Sequence, residues 1–309
     1  MTSPERLSVR VGVGWNPFRR DAVAGALFWD TVELLEEFRY DSLWLSDIAT
    51  QPSVAPLPML AAVAARTERL KLGTSVLAVP ARNPVLMTKE LATIDVLSAG
   101  RLFPAFGIGI ALPRELAALG IPREERAPRL EEAIHIIRAL WTGEPITYHG
   151  RFSTLENVTL IPRPTRTKIE PWLGGSTPAA VKRIGRIADG WLASGVDPPR
   201  FASLLAILKA EAAAAGRTVP EDHFGTIVFV AESDDQADAL MAARQRAGRP
   251  TPPDTIAVGV AGTRSLLERF REAGATKFVF YLLPDDPRPL LRALKAEVVD
   301  PFEAEPVYA

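Results

Sequence analysis

Short apolar runs alternate along this chain with longer amphipathic stretches, and that rhythm predicts the fold class. The segment RTERLKLGTSVLAVPARNPVLMTKELATIDVLSAGRL, from Arg66 to Leu102, shows it most clearly. Val76, Leu77 and Val79 form an apolar strand end that stops at Pro80. Pro84 stands where a first helical turn tolerates a missing N–H, an amphipathic run extends from Val85 to Leu97, and Gly100 supplies the stop. The alternation recurs along the whole chain. Strands are predicted at 8–14, 42–45, 70–77, 102–108, 171–173, 190–193, 225–230 and 277–282. Helices are predicted at about 21–38, 53–66, 85–97, 126–141, 178–187, 199–215, 234–246 and 263–273, with a last one from Arg288 onward. Strands this uniformly apolar are expected where both faces of a parallel sheet are covered. Eight strand–helix pairs in 309 residues predict an α/β fold, a (β/α)₈ barrel, as one domain over 1–309.

Two stretches stand outside the repeat. Residues 146–160, ITYHGRFSTLENVTL, alternate apolar and polar around His149 and Gly150, which predicts an inserted β-hairpin. Residues 248–254, GRPTPPD, are too proline-rich for helix and read as a loop before the last strand.

Ligand sites in such barrels lie at the C-terminal ends of the strands. The expected mouth is therefore lined by the ends of strands one to five. Gly174, Gly175, Ser176, Thr177 and Pro178 follow a short strand and open a helix. Glycines allow close backbone approach, and free N–H groups at a helix start bind phosphate. The same five residues read equally well as a capped turn with no ligand. Gly107, Ile108 and Gly109 end the fourth strand, where they form either the floor of a flat-ring site or a tight turn. Asp47 ends the second strand, at the rim, and Trp44 before it reads as core packing.

Composition removes several alternatives. A net charge of −1 leaves no electrostatic footprint for nucleic acid or an anionic membrane. There is no Cys, so no disulfide, thiol nucleophile or thiolate metal site. The start, MTSPERLSVRVGVG, has neither a basic n-region nor a long apolar h-region, and a cytoplasmic protein acting on a small molecule is expected. His135, His149 and His223 are scattered without ligand spacing, His135 reading as a partly buried helix residue. Neither a G-x-S-x-G elbow nor a P-loop occurs. Arg114, Arg123, Arg126 and Arg129 form a basic run, either a solvated face or a contact for an anionic cofactor tail.

Four blocks then combine: YDSLWLSD, ARTERLKLGTSV, PARNPVLMTKELATIDVLSAGRL and GGSTPAAVKRIGRIADGW. In order and spacing they resemble the bacterial luciferase-like family of flavin and deazaflavin oxidoreductases, over about residues 9–282. Within it the chain is most similar to the branch that uses the deazaflavin coenzyme F420. The resemblance implies a barrel whose mouth holds a flat tricyclic ring against a third-strand bulge with a cis, non-proline peptide, which falls at Ser75 and Val76. It implies phosphate binding by Gly174, Gly175 and Ser176, cofactor contacts from Gly107 and Gly109, and a catalytic role for Asp47.

The sequence also departs from the family. Many deazaflavin members carry His directly after that Asp, where this chain has Ile48. The Arg-Gly pair that some FMN-binding members place after the fourth strand is absent, Gly109 being followed by Ile110. GWNPF at 14–18 is unusual, and Trp15 is placed to narrow the pocket. The leading expectation is hydride transfer between coenzyme F420 and a small organic substrate. The alternatives are an FMN-dependent monooxygenase and a non-catalytic flavin- or deazaflavin-binding protein. A homodimer is compatible with each.

Overall fold

The computed structural model of the chain describes residues 6–7, 9–15, 25–51, 53–110, 112–166, 168–248, 251–305 and 307–308. Ser8, the start of the helix predicted from 21, residues 16–18 of GWNPF, and residues 249–250 of the proline-rich loop lie outside them.

Eight parallel barrel strands run in chain order: Arg10–Gly14, Ser42–Leu45, a third in two pieces, Lys71–Thr74 and Leu77–Ala78, and a fourth also in two, Leu102–Phe103 and Ala105–Gly107. Trp172–Gly174, Gly190–Ala193, Phe224–Ala231 and Lys277–Leu282 complete the set. The first half of the fourth strand pairs with the third strand, and its second half pairs with the fifth. The eighth strand pairs with the first, which closes the barrel.

The fourth strand divides at Pro104, which has no N–H to give the ladder. The third divides at Ser75 and Val76, joined by a cis peptide bond as the resemblance implied. Prolines start the helices Pro56–Ala64, Pro84–Leu97, Pro113–Leu119, Pro178–Ile187 and Pro198–Ala214. Asn83, Thr177, Asp197 and Ser233 cap helix starts by accepting backbone N–H bonds. The antiparallel hairpin is present as Ile146–His149 and Thr154–Val158.

Side chains alternate across each strand, as the period of two requires. Val11, Val13, Leu43, Leu45, Phe278, Phe280 and Leu282 face outward and join the helices in the larger apolar core. Trp44, Ala105, Trp172, Leu192, Ile227, Phe229, Val279 and Tyr281 form a second core inside the barrel. Two indoles fill its lower part by lying on glycines. A Cβ on Gly12 would stand 2.6 Å from the Trp44 Nε1, and one on Gly190 2.5 Å from the Trp172 Nε1. Trp44 is thus core packing, as expected, with its N–H donated to Ser42 Oγ at 2.8 Å.

Four details correct the sequence reading. The helix Pro113–Leu119 and the short strand Ile256–Val258, beside the seventh strand, were not foreseen. His135 is exposed rather than partly buried, since it falls on the solvent side of Arg126–Trp141 between the buried Ile134 and Ile136. Trp15 is buried edge-on against Phe28, with ring centroids 5.1 Å apart, in the outer core. It does not line the mouth.

Candidate active site

A cavity of about 580 Å³ opens at the C-terminal ends of the strands. Asp47, Ser75, Val76, Gly107, Gly109, Gly174, Gly175 and Ser176, scattered over 130 positions of chain, all line it. The lining is wider than strands one to five. Ile227 and Phe229 come from the seventh strand, Tyr281 from the eighth, and Arg244 from the helix Asp234–Arg246. That correction has a simple cause: a closed barrel brings its last strands round to its first.

Val76 is the centre of the wall. A Cβ on Gly174 would stand 2.6 Å from its Cγ1, and one on Gly107 would be closer still to its Cγ2. The valine thus sits between two positions that admit only glycine, leaving flat backbone on either side. Gly109 adopts φ +74, which favours glycine, and it also lines the cavity.

Asp47 is held at the rim. Its Oδ2 accepts the N–H of Ala78 at 3.0 Å and the guanidinium of Arg82 at 2.9 Å. The carboxylate therefore ties the end of the second strand to the segment beyond the cis peptide. Glu115, buried on the unforeseen helix, accepts the N–H groups of Ala49 and Thr50 at 2.8 and 3.0 Å and pins the loop that follows Asp47.

Ser176 braces the fifth strand against the sixth. Its hydroxyl donates to the Ser194 carbonyl at 2.8 Å and accepts the Ser194 N–H at 3.1 Å. Thr177 caps the following helix through Ala180 N–H. The N–H groups of Gly175, Ser176 and Thr177 have no acceptor among the described residues. They are the kind of donors an anion takes at a helix start.

The charged lining residues are Asp47, Arg123 and Arg244. Arg126 lies behind Arg123 and is buried, donating to the carbonyls of Ile108 and Gly109 at 3.4 and 3.1 Å. Burial, and then the neighbouring Arg123, lower its pKa. Arg114 instead donates to the Thr50 carbonyl on the surface, and Arg129 pairs with Glu125. The basic run therefore splits: Arg123 lines the site, Arg126 is buried behind it, and the other two lie outside.

Sequence reasoning missed a second polar feature. The Tyr281 Oη lies 2.5 Å from Ser75 Oγ and 2.8 Å from Ser46 Oγ, and all three residues line the cavity. Burial raises the phenol's pKa, against the opposing pull of the two serine hydroxyls. No group of three or more His, Cys, Asp or Glu side chains suited to a metal occurs among the described residues.

The fold is thus a closed α/β barrel with a glycine-walled slot at the C-terminal ends of its strands. The chain belongs to the luciferase-like monooxygenase family, whose sequence model matches residues 6–278. It is 41% identical over 208 residues to the F420-dependent glucose-6-phosphate dehydrogenase of Microbacterium testaceum, covering 64% of this chain and 61% of that one. The enzyme of the same name from Nakamurella multipartita is 36% identical over 203 residues, covering 62% and 59%. The chain thus spans about three fifths of the length of these curated relatives. Among solved structures, the monooxygenase RslO1 from Streptomyces bottropensis superposes with a TM-score of 0.82 at 21% identity, covering 95% of this chain and 99% of that one. An F420-dependent secondary alcohol dehydrogenase, solved with an F420–acetone adduct, gives 0.76 at 19% identity, covering 93% and 99%. At such identities these two structures establish the fold alone. No helix among the described residues is long and apolar enough to cross a membrane.

Proposed function

We propose that this protein is an oxidoreductase that moves a hydride between coenzyme F420 and a small organic substrate in the cytoplasm. The observation that carries the reading is the lining of the cavity. It combines the Val76 slot between Gly107 and Gly174, three N–H groups without acceptors, and cationic side chains at the mouth. Asp47, the one acidic lining residue, is already paired with Arg82. Such a wall fits a flat ring with a phosphate and an acidic tail. The F420 dependence of the two curated relatives supports the same cofactor. When bound, a deazaflavin supplies a carbon centre that exchanges hydride in two-electron steps.

The chain's own residues would divide the work. Gly175, Ser176 and Thr177 would take the phosphate on their N–H groups. Gly107, Gly109 and Gly174 would keep side chains out of the ring's plane. Asp47 would hold the 75–82 segment in place and orient the ring edge, a positioning task consistent with its two bonds through Oδ2. Arg123 would meet the acidic tail, with Arg126 buried behind it. An exposed contact of that kind contributes about 0.2–1 kcal/mol, so it tunes affinity. Histidine is absent from the described residues of the cavity lining, where Ile48 stands at the position the resemblance gives to histidine. The reading therefore extends to the reaction class and not to a sugar substrate.

Fluorescence titration of the purified protein with F420 and with FMN, each at two ionic strengths, tests this. The expected result is tighter binding of F420, weakened by salt. Tighter FMN binding, or oxygen-dependent turnover with reduced FMN, would replace it with the monooxygenase reading.

A further inference from the structure

Among the residues that line the cavity, one phenol stands at the end of the eighth strand and faces inward. Tyr281 pairs in register with Gly14, which pairs with Trp44, which pairs with Gly73, so all four point into the barrel. The Tyr281 ring covers Gly14 so closely that a Cβ there would stand 2.8 Å from Cδ2 and nearer to other ring atoms. The phenol is 2% exposed, yet its oxygen reaches the cavity between Ser46 and Ser75. Ser46 Oγ in turn donates to the Ser75 carbonyl at 3.2 Å. The three hydroxyls thus form one cluster on the cis peptide that divides the third strand.

We propose that Tyr281 is the proton donor of the reaction, with Ser46 and Ser75 as positioning residues that hold its oxygen. The inference rests on the hydride-transfer function proposed above. It comes from asking which lining group can release a proton. A guanidinium does not give up its proton in proteins, which leaves out Arg123 and Arg244, and serine hydroxyls are weaker acids than a phenol. Asp47 is committed through Oδ2 to Arg82 and Ala78. The chain has no cysteine, and histidine is absent from the described residues of the lining. Tyr281 remains. Burial keeps it as the neutral O–H form, and once the proton leaves, the Ser75 hydroxyl can donate to its oxygen, as can Ser46 by turning from the Ser75 carbonyl.

The substrate class follows from this chemistry: a polarised double bond, C=O, C=N or C=C conjugated to a carbonyl. Its carbon accepts a hydride from the reduced deazaflavin, and the π electrons move to the partner atom. That atom takes the Tyr281 proton as the Oη–H bond breaks. The phenolate left behind accepts a hydrogen bond from Ser75, and from Ser46 once that hydroxyl turns from the Ser75 carbonyl, and regains a proton from water entering the cavity. Two electrons and one hydrogen come from the cofactor, and one proton comes from the protein.

The test uses Tyr281→Phe, which keeps the ring over Gly14 and removes only the oxygen. F420 affinity by fluorescence should stay within twofold of wild type. Single-turnover reoxidation of the reduced cofactor by cyclohex-2-enone, acetone or 1-pyrroline should fall about 10²- to 10⁴-fold with little change in KM. Ser46→Ala and Ser75→Ala should each lose roughly tenfold by the same route. A readout without turnover comes from tyrosine labelled with ¹³C at Cζ in the protein loaded with oxidised F420. The Tyr281 resonance, assigned by its absence in Tyr281→Phe, should move when cyclohex-2-enone, acetone or 1-pyrroline is added. A wild-type rate in Tyr281→Phe, a large loss of its F420 affinity, or a Tyr281 resonance unmoved by all these probes overturns the inference. Should wild type reduce none of them, the resonance decides alone. Failure of the wild-type protein to bind F420 overturns the function itself, which separates the two results.

Discussion

Replacing Gly174 with alanine probes the centre of the wall directly. The added Cβ would stand 2.6 Å from Val76 Cγ1, 3.6 Å from Cγ2 and 3.7 Å from the Leu192 carbonyl oxygen. Carbon atoms pack best at about 3.5–4.0 Å, so Val76 must retreat by roughly 1 Å. It cannot retreat easily, because Gly107 already touches its far side. Forcing one methyl into a packed site costs about 1–3 kcal/mol, and the stiffer unfolded chain returns about 0.4–1 kcal/mol of that. A net loss of about 1–2 kcal/mol should lower Tm by a few degrees at this chain length. The displaced valine would also enter the ring's space, and each 1.4 kcal/mol lost there raises the F420 Kd about tenfold. Gly262→Ala is the control. It lies in the helix Gly259–Glu272, and its new Cβ meets nothing nearer than the Ala257 carbonyl carbon at 4.0 Å. That variant should gain about 0.5–1 kcal/mol and bind F420 as wild type does. Thermal melts and fluorescence titrations of both proteins supply the comparison. If Gly174→Ala matches the control in Tm and in Kd, Val76 is not locked between the two glycines and the proposed ring position falls with it.

Other outcomes follow from the same contacts. Asp47→Asn keeps an acceptor for Ala78 N–H but loses the charge facing Arg82, and should cost about 1–2 kcal/mol in a denaturant melt while weakening F420 several-fold. No change in either would mean the 75–82 segment is held without the carboxylate. At the opposite end of the barrel, burial takes Lys277 down to about 8, against the pull of Asp41 3.8 Å away. The unfolded lysine keeps about 10.4, so between about pH 8 and 10 the unfolded chain binds more protons and this residue's contribution to stability rises with pH. Wild type should therefore gain about 2 kcal/mol on Lys277→Met between pH 7 and 9.5, and a flat difference would refute that assignment.

The barrel was legible because its strands are short apolar runs bounded by turn residues. The strands Gly190–Ala193 and Lys277–Leu282 and the helix Asp234–Arg246 fall on the predicted residues. Where the reading slipped, one residue usually explains it. Pro104 divides a run that is apolar on both sides and so looks continuous. The helix Pro113–Leu119 carries a proline at its start and Gly120 at φ +65 as its stop, but seven residues are too few to show a period. Among the lining residues, the glycines and Asp47 were singled out by their places at strand ends and then by the resemblance of whole blocks, since each is ambiguous alone. Tyr281 was not. In KFVFYL both faces of the strand are apolar, one toward the helices and one toward the barrel interior, so hydrophobic period cannot say which residues turn inward. The available signal was chemical: a hydroxyl-tipped aromatic at the C-terminal end of an otherwise apolar barrel strand.

The inward glycines connect fold and function. An eight-stranded barrel is normally filled through its length by side chains. Here the filling is uneven. Trp44 and Trp172 occupy the lower interior by lying on Gly12, Gly73, Gly190 and Gly225. Two large rings therefore do the work of many smaller residues near the N-terminal end, and the upper interior stays open as a cavity. Its floor and walls belong to strands and are stiff, while Arg123, Arg244 and Leu112 at the mouth come from helices and loops. A change of substrate can thus be made at the mouth without disturbing the wall beside Val76. The proposed proton donor belongs to that stiff wall: Tyr281, held by Ser46 and Ser75, stands at a strand position that faces inward.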